Sequence, residues 1–112
     1  MTRNIKSLQD MVSIFCEERE WDQFHNIKDL SIALSIEASE LLELFRWKET
    51  GQLEALLKNT VKKEAIEDEV ADILFFILRI AQTSNIDLAK ALERKIAKNA
   101  LKYPVEKCPA PI

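Results

Sequence analysis

Two short stretches decide the reading: Glu37-Ala38-Ser39-Glu40-Leu41-Leu42 and, 32 residues on, Glu69-Val70-Ala71-Asp72-Ile73-Leu74. At ~100° per residue, Leu30, Leu34, Leu41, Leu44 and Phe45 line one face of a helix. Glu37 falls in the middle of that face and Glu40 at its edge. Ile66, Val70, Ile73, Ile77 and Ile80 line a second helix, with Glu69 inside the face and Asp72 at its margin. An unpaired carboxylate directed at a core costs several kcal/mol. The two similar segments also suggest a duplicated helical hairpin. If the helices are antiparallel neighbours, four carboxylates converge, and cations must lie between them. Oxygen ligands without His or Cys suit Mg²⁺ or Mn²⁺. The ordinary alternative pairs each acid with Lys or Arg at a helix boundary. Two matched acidic pairs on apolar faces make that the weaker reading.

Working outward, the spacing predicts helices over roughly residues 4–20, 26–48, 62–83 and 87–103, with a weaker stretch at 53–57. Asn26 and Asp87 are placed to cap two of them. Gly51, the only glycine, reads as a stop just past the second helix. Trp21–His25 reads as a loop. The helix over 62–83 is apolar around most of its circumference, which predicts packing against more than one partner. Residues 1–104 therefore read as one domain and 105–112 as a flexible Pro-containing tail. The expected fold is all-α: a compact four-to-five-helix bundle with oligomeric packing.

Composition agrees. The chain has 112 residues, 47% hydrophobic and 31% charged, with one Gly and three Pro, too few for the turns of an all-β fold. A net charge of -3 supplies no basic field for nucleic acid. Neither a signal peptide nor a membrane span is visible, and two cysteines read as reduced thiols, so a cytoplasmic location is expected.

Lys95, Asn99 and Lys102 continue the apolar side of the last helix, with Lys98 bordering it. Alone, such lysines are snorkelling side chains. Beside an acidic metal cluster they read as a phosphate site. Trp21 and Trp47, the only tryptophans, either cover the ends of the core or stack on a planar base. No Gly-rich phosphate loop is present. A ferritin-like di-iron site expects Glu-x-x-His pairs, and the only histidine, His25, falls in the predicted loop.

Glu37-x-x-Glu40 followed by Glu69-x-x-Asp72 resembles the metal signature of the MazG-type all-α nucleoside triphosphate pyrophosphohydrolases. Glu20-Trp21-Asp22-Gln23-Phe24-His25, Glu43-Leu44-Phe45-Arg46-Trp47 and Lys95-x-x-Lys98-Asn99-x-x-Lys102-Tyr103-Pro104 resemble the dCTP pyrophosphatase branch. The resemblance spans roughly residues 8–104. It implies a bundle that dimerises, often as a dimer of dimers. It implies Mg²⁺-dependent hydrolysis of a nucleoside triphosphate, dCTP or a modified dCTP among the candidates, to the monophosphate and pyrophosphate. Glu37, Glu40, Glu69 and Asp72 map onto catalytic metal ligands. Trp21, His25 and Trp47 map around the nucleoside. Phe76 joins them but departs from the pattern, because the dCTP branch can carry Tyr there. Lys95, Lys98, Asn99 and Tyr103 match the C-terminal motif, read as phosphate contact or helix closure. Two alternatives stay open: a non-catalytic helical dimerisation module with structural carboxylates, and a redox carboxylate bundle.

Overall fold

The computed structural model describes residues 3–107, and all of its regular structure is helical. In order these are α1 (Ile5–Glu18), a 3-10 turn (Trp21–Phe24), α2 (Ile27–Glu43), α3 (Thr50–Lys58), α4 (Thr60–Thr83), α5 (Leu88–Lys102) and a second 3-10 turn (Val105–Lys107). Short polar side chains open four of the helices. The Oδ1 atoms of Asn4, Asn26, Asn59 and Asp87 accept from the backbone N–H of Ser7 (2.8 Å), Asp29 (2.9 Å), Lys62 (3.1 Å) and Lys90 (3.0 Å). Each such cap stabilises its helix by about 1 kcal/mol.

Three boundaries differ from those the sequence predicts. Trp21–Phe24 is a 3-10 turn instead of an open loop. It follows Glu20, whose φ of 55° reverses the chain after α1. α2 stops at Glu43 instead of Lys48. The N–H groups of Leu44 and Phe45 bond back only three residues, at 3.2 and 2.9 Å, and so tighten the chain out of the α-helix. Gly51 is no helix stop. It lies in the first turn of α3 with negative φ, because the Glu49 N–H bonded to Gln52 Oε1 (2.9 Å) starts a new helix there. Of the expected tail, Val105–Lys107 form the second turn, and residues 108–112, with Cys108, lie outside the described residues.

α4 is the central helix, with α2, α1 and α3 all packed on it. On α2, Leu30 is fully buried, and Leu34, Leu41, Leu44 and Phe45 are half-buried, as their spacing predicts. On α4 the prediction is right in part. Ile66, Ile73 and Ile80 are half-buried, but Val70 and Ile77 are exposed, and Leu78, Arg79 and Ala81 are buried instead. The reason is that α4 serves two neighbours. The turn of its surface bearing Phe75 and Leu78 packs with Val12 and Cys16 of α1. Two buried faces on one helix are what its nearly all-round apolar surface predicts, although the Ile66–Ile80 stripe alone does not locate the second.

α5 stands off. It is anchored where Leu88 meets the α1–α4 cluster, just after Asn85, whose φ of 55° turns the chain. It shares no broad packing with any other helix. Leu92, Ile96 and Leu101 on it are exposed. The radius of gyration is 17.1 Å, against about 13 Å for a compact globule of this length.

Candidate functional site

The two helices that carry the acidic pairs are also the two with the most extensive mutual packing, α2 and α4. Their helical period turns Glu37 and Glu69 inward. Both are half-buried, while Glu40 and Asp72, one turn on, are exposed at the rim. One carboxylate oxygen from each of Glu37, Glu40 and Glu69 lies within 4.8 Å of the others. Asp72 is not in that tight group, but its charge acts on both Glu37 and Glu69.

This is an electrostatically strained arrangement. Glu37 Oε2 and Glu69 Oε2 are buried without a hydrogen-bond partner. Among the described residues, no Lys or Arg forms an ion pair with any of the four acids. Loss of water, followed by the nearby Glu40 and Glu69 carboxyls, pushes Glu37 up to about 7. Glu69 is also raised, again first by burial, with Glu40 and Asp72 adding to the effect. Anions this close stay ionised only beside positive charge. Orphaned, acceptor-only oxygens on an all-carboxylate donor set are what a hard divalent cation needs. Glu37, Glu40 and Glu69 could therefore hold a metal ion, and they come together without the Lys or Arg pairing of the ordinary alternative.

The predicted nucleoside residues divide. Trp21 and His25 are neighbours, with ring centroids 6.0 Å apart. Phe15 of α1 lies edge-on to Trp21 at 5.5 Å and to Phe75 of α4 at 6.0 Å, and Phe75 meets Phe76 at 5.3 Å. An aromatic band therefore runs from the 3-10 turn to α4. Trp47 is not part of it. It is 77% exposed, with the Arg46 guanidinium 4.5 Å from its ring centroid. Lys95 and Lys98 are exposed and Asn99 half-buried on the stand-off α5, and Tyr103, half-buried, follows its last turn. Within one chain the structure does not bring that row to the carboxylates.

Sequence reasoning missed Arg79, which is only 4% exposed. Its Nε donates to His25 Nδ1 (2.8 Å), its Nη1 to Gln82 Oε1 (3.2 Å), and its Nη2 pairs with Asp22. The available signal was an Arg inside the apolar run from Ile73 to Ile80, opposite an Asp-x-x-His segment, Asp22 to His25.

A helical bundle with an inward carboxylate cluster defines a class of bundles whose core could hold a metal ion, and comparison with known proteins names the family. The MazG-like family profile matches residues 32–108. The chain belongs to the MazG-like family. It is 31% identical over 101 residues to dCTP pyrophosphatase 1 of Rattus norvegicus, covering 90% of this chain and 59% of the relative. It is also 31% identical over 100 residues to dCTP pyrophosphatase 1 of Homo sapiens, covering 89% and 59%. The chain thus spans about three-fifths of the length of these relatives. A crystal structure of a pyrophosphatase from Archaeoglobus fulgidus superposes with a TM-score of 0.84 at 32% identity, covering 93% of this chain and 95% of that one. Among the described residues no helix is long and apolar enough to cross a membrane.

Proposed function

We propose that the protein hydrolyses a nucleoside triphosphate to the monophosphate and pyrophosphate, with dCTP or a base-modified dCTP as the substrate class. The observation that carries this reading is the Glu37, Glu40 and Glu69 convergence, with two buried oxygens that lack partners. It stands on a fold shared with a pyrophosphatase and a chain similar to dCTP pyrophosphatases. Glu37, Glu40, Glu69 and Asp72 would hold Mg²⁺, with Mn²⁺ able to replace it. Such a cation, when bound, supplies positive charge to the phosphates and acidifies water.

The chain's own residues do the rest. Trp21 and His25, with Phe76 behind them in the aromatic band, receive the base, and Trp47 closes on it. Lys95, Lys98, Asn99 and Tyr103 receive phosphate oxygens. In one chain these four lie away from the carboxylates, so the reading includes a homodimer or a dimer of dimers that completes the site. Exposed apolar residues support this: Ile32 and Ile36 on α2, Val70 and Ile77 on α4, Leu92 and Ile96 on α5. The free, buried Cys16 is in keeping with a reducing cytoplasm.

The test is a panel of natural and base-modified nucleoside triphosphates, assayed for pyrophosphate with Mg²⁺, with Mn²⁺ and with chelator. Equal release of monophosphate and pyrophosphate, abolished by chelator, is the expected result. No release from any nucleotide, or inorganic phosphate as the only product, would overturn the reading.

Trp47 offers a second check, because a ring this exposed does little for the fold. Trp47→Ala should change stability by no more than about 0.5 kcal/mol. It should weaken nucleotide binding by about 1–3 kcal/mol through lost stacking, read as a higher KM. A fall in Tm with KM unchanged would return Trp47 to a packing role.

A further inference from the structure

We infer that Arg79 is a positioning residue that holds His25 as the neutral Nε2–H tautomer, so that the nucleoside site offers a hydrogen-bond donor at that point and selects a base bearing a lone pair there. This rests on the proposal above that the nucleoside lies beside Trp21 and His25. Guanidinium nitrogens only donate. The Arg79 Nε–H contact at 2.8 Å therefore requires a lone pair on His25 Nδ1, and the ring proton must sit on Nε2. Turning the ring over would set a carbon against that N–H and break the bond. Protonating Nδ1 would set donor against donor and cation against cation.

Arg79 is itself fixed. Asp22, three residues before His25 on the same turn, pairs with Nη2. Gln82, one turn along α4, accepts from Nη1 at 3.2 Å and donates through its own amide to the Gln9 carbonyl of α1. A guanidinium held on three sides and only 4% exposed has little freedom to release the imidazole. The charged groups acting on the ring are Arg79 from α4 and Asp22 from the turn. Burial lowers the His25 pKa first and Arg79 lowers it further, while Asp22 opposes them. Among the described residues nothing bonds to Nε2. That N–H is free for a carbonyl oxygen or an unprotonated ring nitrogen of a base. It repels a base that presents a donor at the same place.

Because the sequence has one histidine, long-range ¹H–¹⁵N correlation of the untagged protein reads this ring alone. The expected spectrum at pH 7 is a neutral ring protonated on Nε2. In Arg79→Gln the ring should become a mixture of tautomers. KM for the nucleotide should rise about tenfold, the worth of one hydrogen bond, with kcat within about twofold. The third arm is a double-mutant cycle. If Arg79 acts through His25, adding Arg79→Gln to His25→Ala leaves KM unchanged, whereas a merely structural arginine would give an added loss. Should Arg79→Gln fail to fold, Asp22→Asn replaces it, altering an exposed carboxylate. The same tautomer mixing and a smaller KM rise of about two- to fivefold are then expected. An imidazolium or Nδ1-protonated ring in the parent, an unchanged tautomer in the variant, or additive losses in the cycle would each overturn the inference. The parent spectrum needs no substrate. Failure of pyrophosphate release is therefore seen separately, and it would overturn the proposed function and the base-selecting role together, leaving the tautomer decided.

Discussion

On the proposed reading, Glu40→Gln and Asp72→Asn will each lower Mg²⁺-dependent pyrophosphate release by about 100-fold or more, because a bound cation would supply several kcal/mol of transition-state charge stabilisation and each change would remove a charged ligand. Both side chains lie at the rim, exposed, with no ion pair to a Lys or Arg of the described residues. The substitutions therefore leave no uncompensated buried charge, and far-ultraviolet circular dichroism should stay fully helical. That separation of activity from folding is what a ligand role predicts. Turnover within a few-fold of the parent in either variant would remove that residue from the metal site.

The second large effect concerns the inner acids. Glu37 has its pKa raised from 4.5 to about 7 in the folded, metal-free protein, and Glu69 is shifted in the same direction. A carboxyl whose folded pKa exceeds its unfolded one favours folding while protonated. Its contribution is complete below pH 4.5 and is lost as pH rises through about 7. In chelator, the parent should therefore lose stability across that interval, and Glu37→Gln should flatten the loss. At pH 7.5 in chelator, Glu69→Gln should melt no lower than the parent, since it keeps the shape and removes one repelling charge. Mg²⁺ at a hundredfold excess over its Kd stabilises a folded protein by about 2.7 kcal/mol, which is roughly 10 °C in Tm for a domain of this size. The parent should show that gain, and Glu69→Gln much less of it. Melts at one protein concentration, with chelator and with Mg²⁺, decide the matter. Equal Mg²⁺ shifts would show that Glu69 is no ligand. A large drop of the variant in chelator would mean that Glu69 has a cationic partner.

The inner acids were legible because a helical wheel makes a carboxylate inside an apolar stripe conspicuous, and Glu37 and Glu69 are indeed the half-buried pair, with Glu40 and Asp72 outside them. The Asn26 and Asp87 caps were legible because a short polar side chain before a helix has few other uses. Arg79 was not. The nearly all-round apolar surface of α4 foretells more than one neighbour but not which, and a buried cation inside it is visible only once Asp22 and His25 are brought beside it. The early end of α2 was hidden for a local reason. Leu44 and Phe45 satisfy the apolar pattern equally well in a tightened turn. The position of α5 was hidden too, since an apolar stripe does not say which chain will cover it.

Cys16 gives the α1–α4 seam a chemical clock. Its thiol is wholly inaccessible, and burial holds its pKa above the usual cysteine value. An alkylating reagent needs an exposed thiolate, which this side chain can present only when α1 lifts from Leu78 of α4. At saturating reagent, the labelling rate of the Cys16 peptide therefore reports how often that seam breathes. Because the α1–α4 seam also contains the Gln82 contact to Gln9, whatever fills the nucleoside site and tightens Arg79 should slow the same clock.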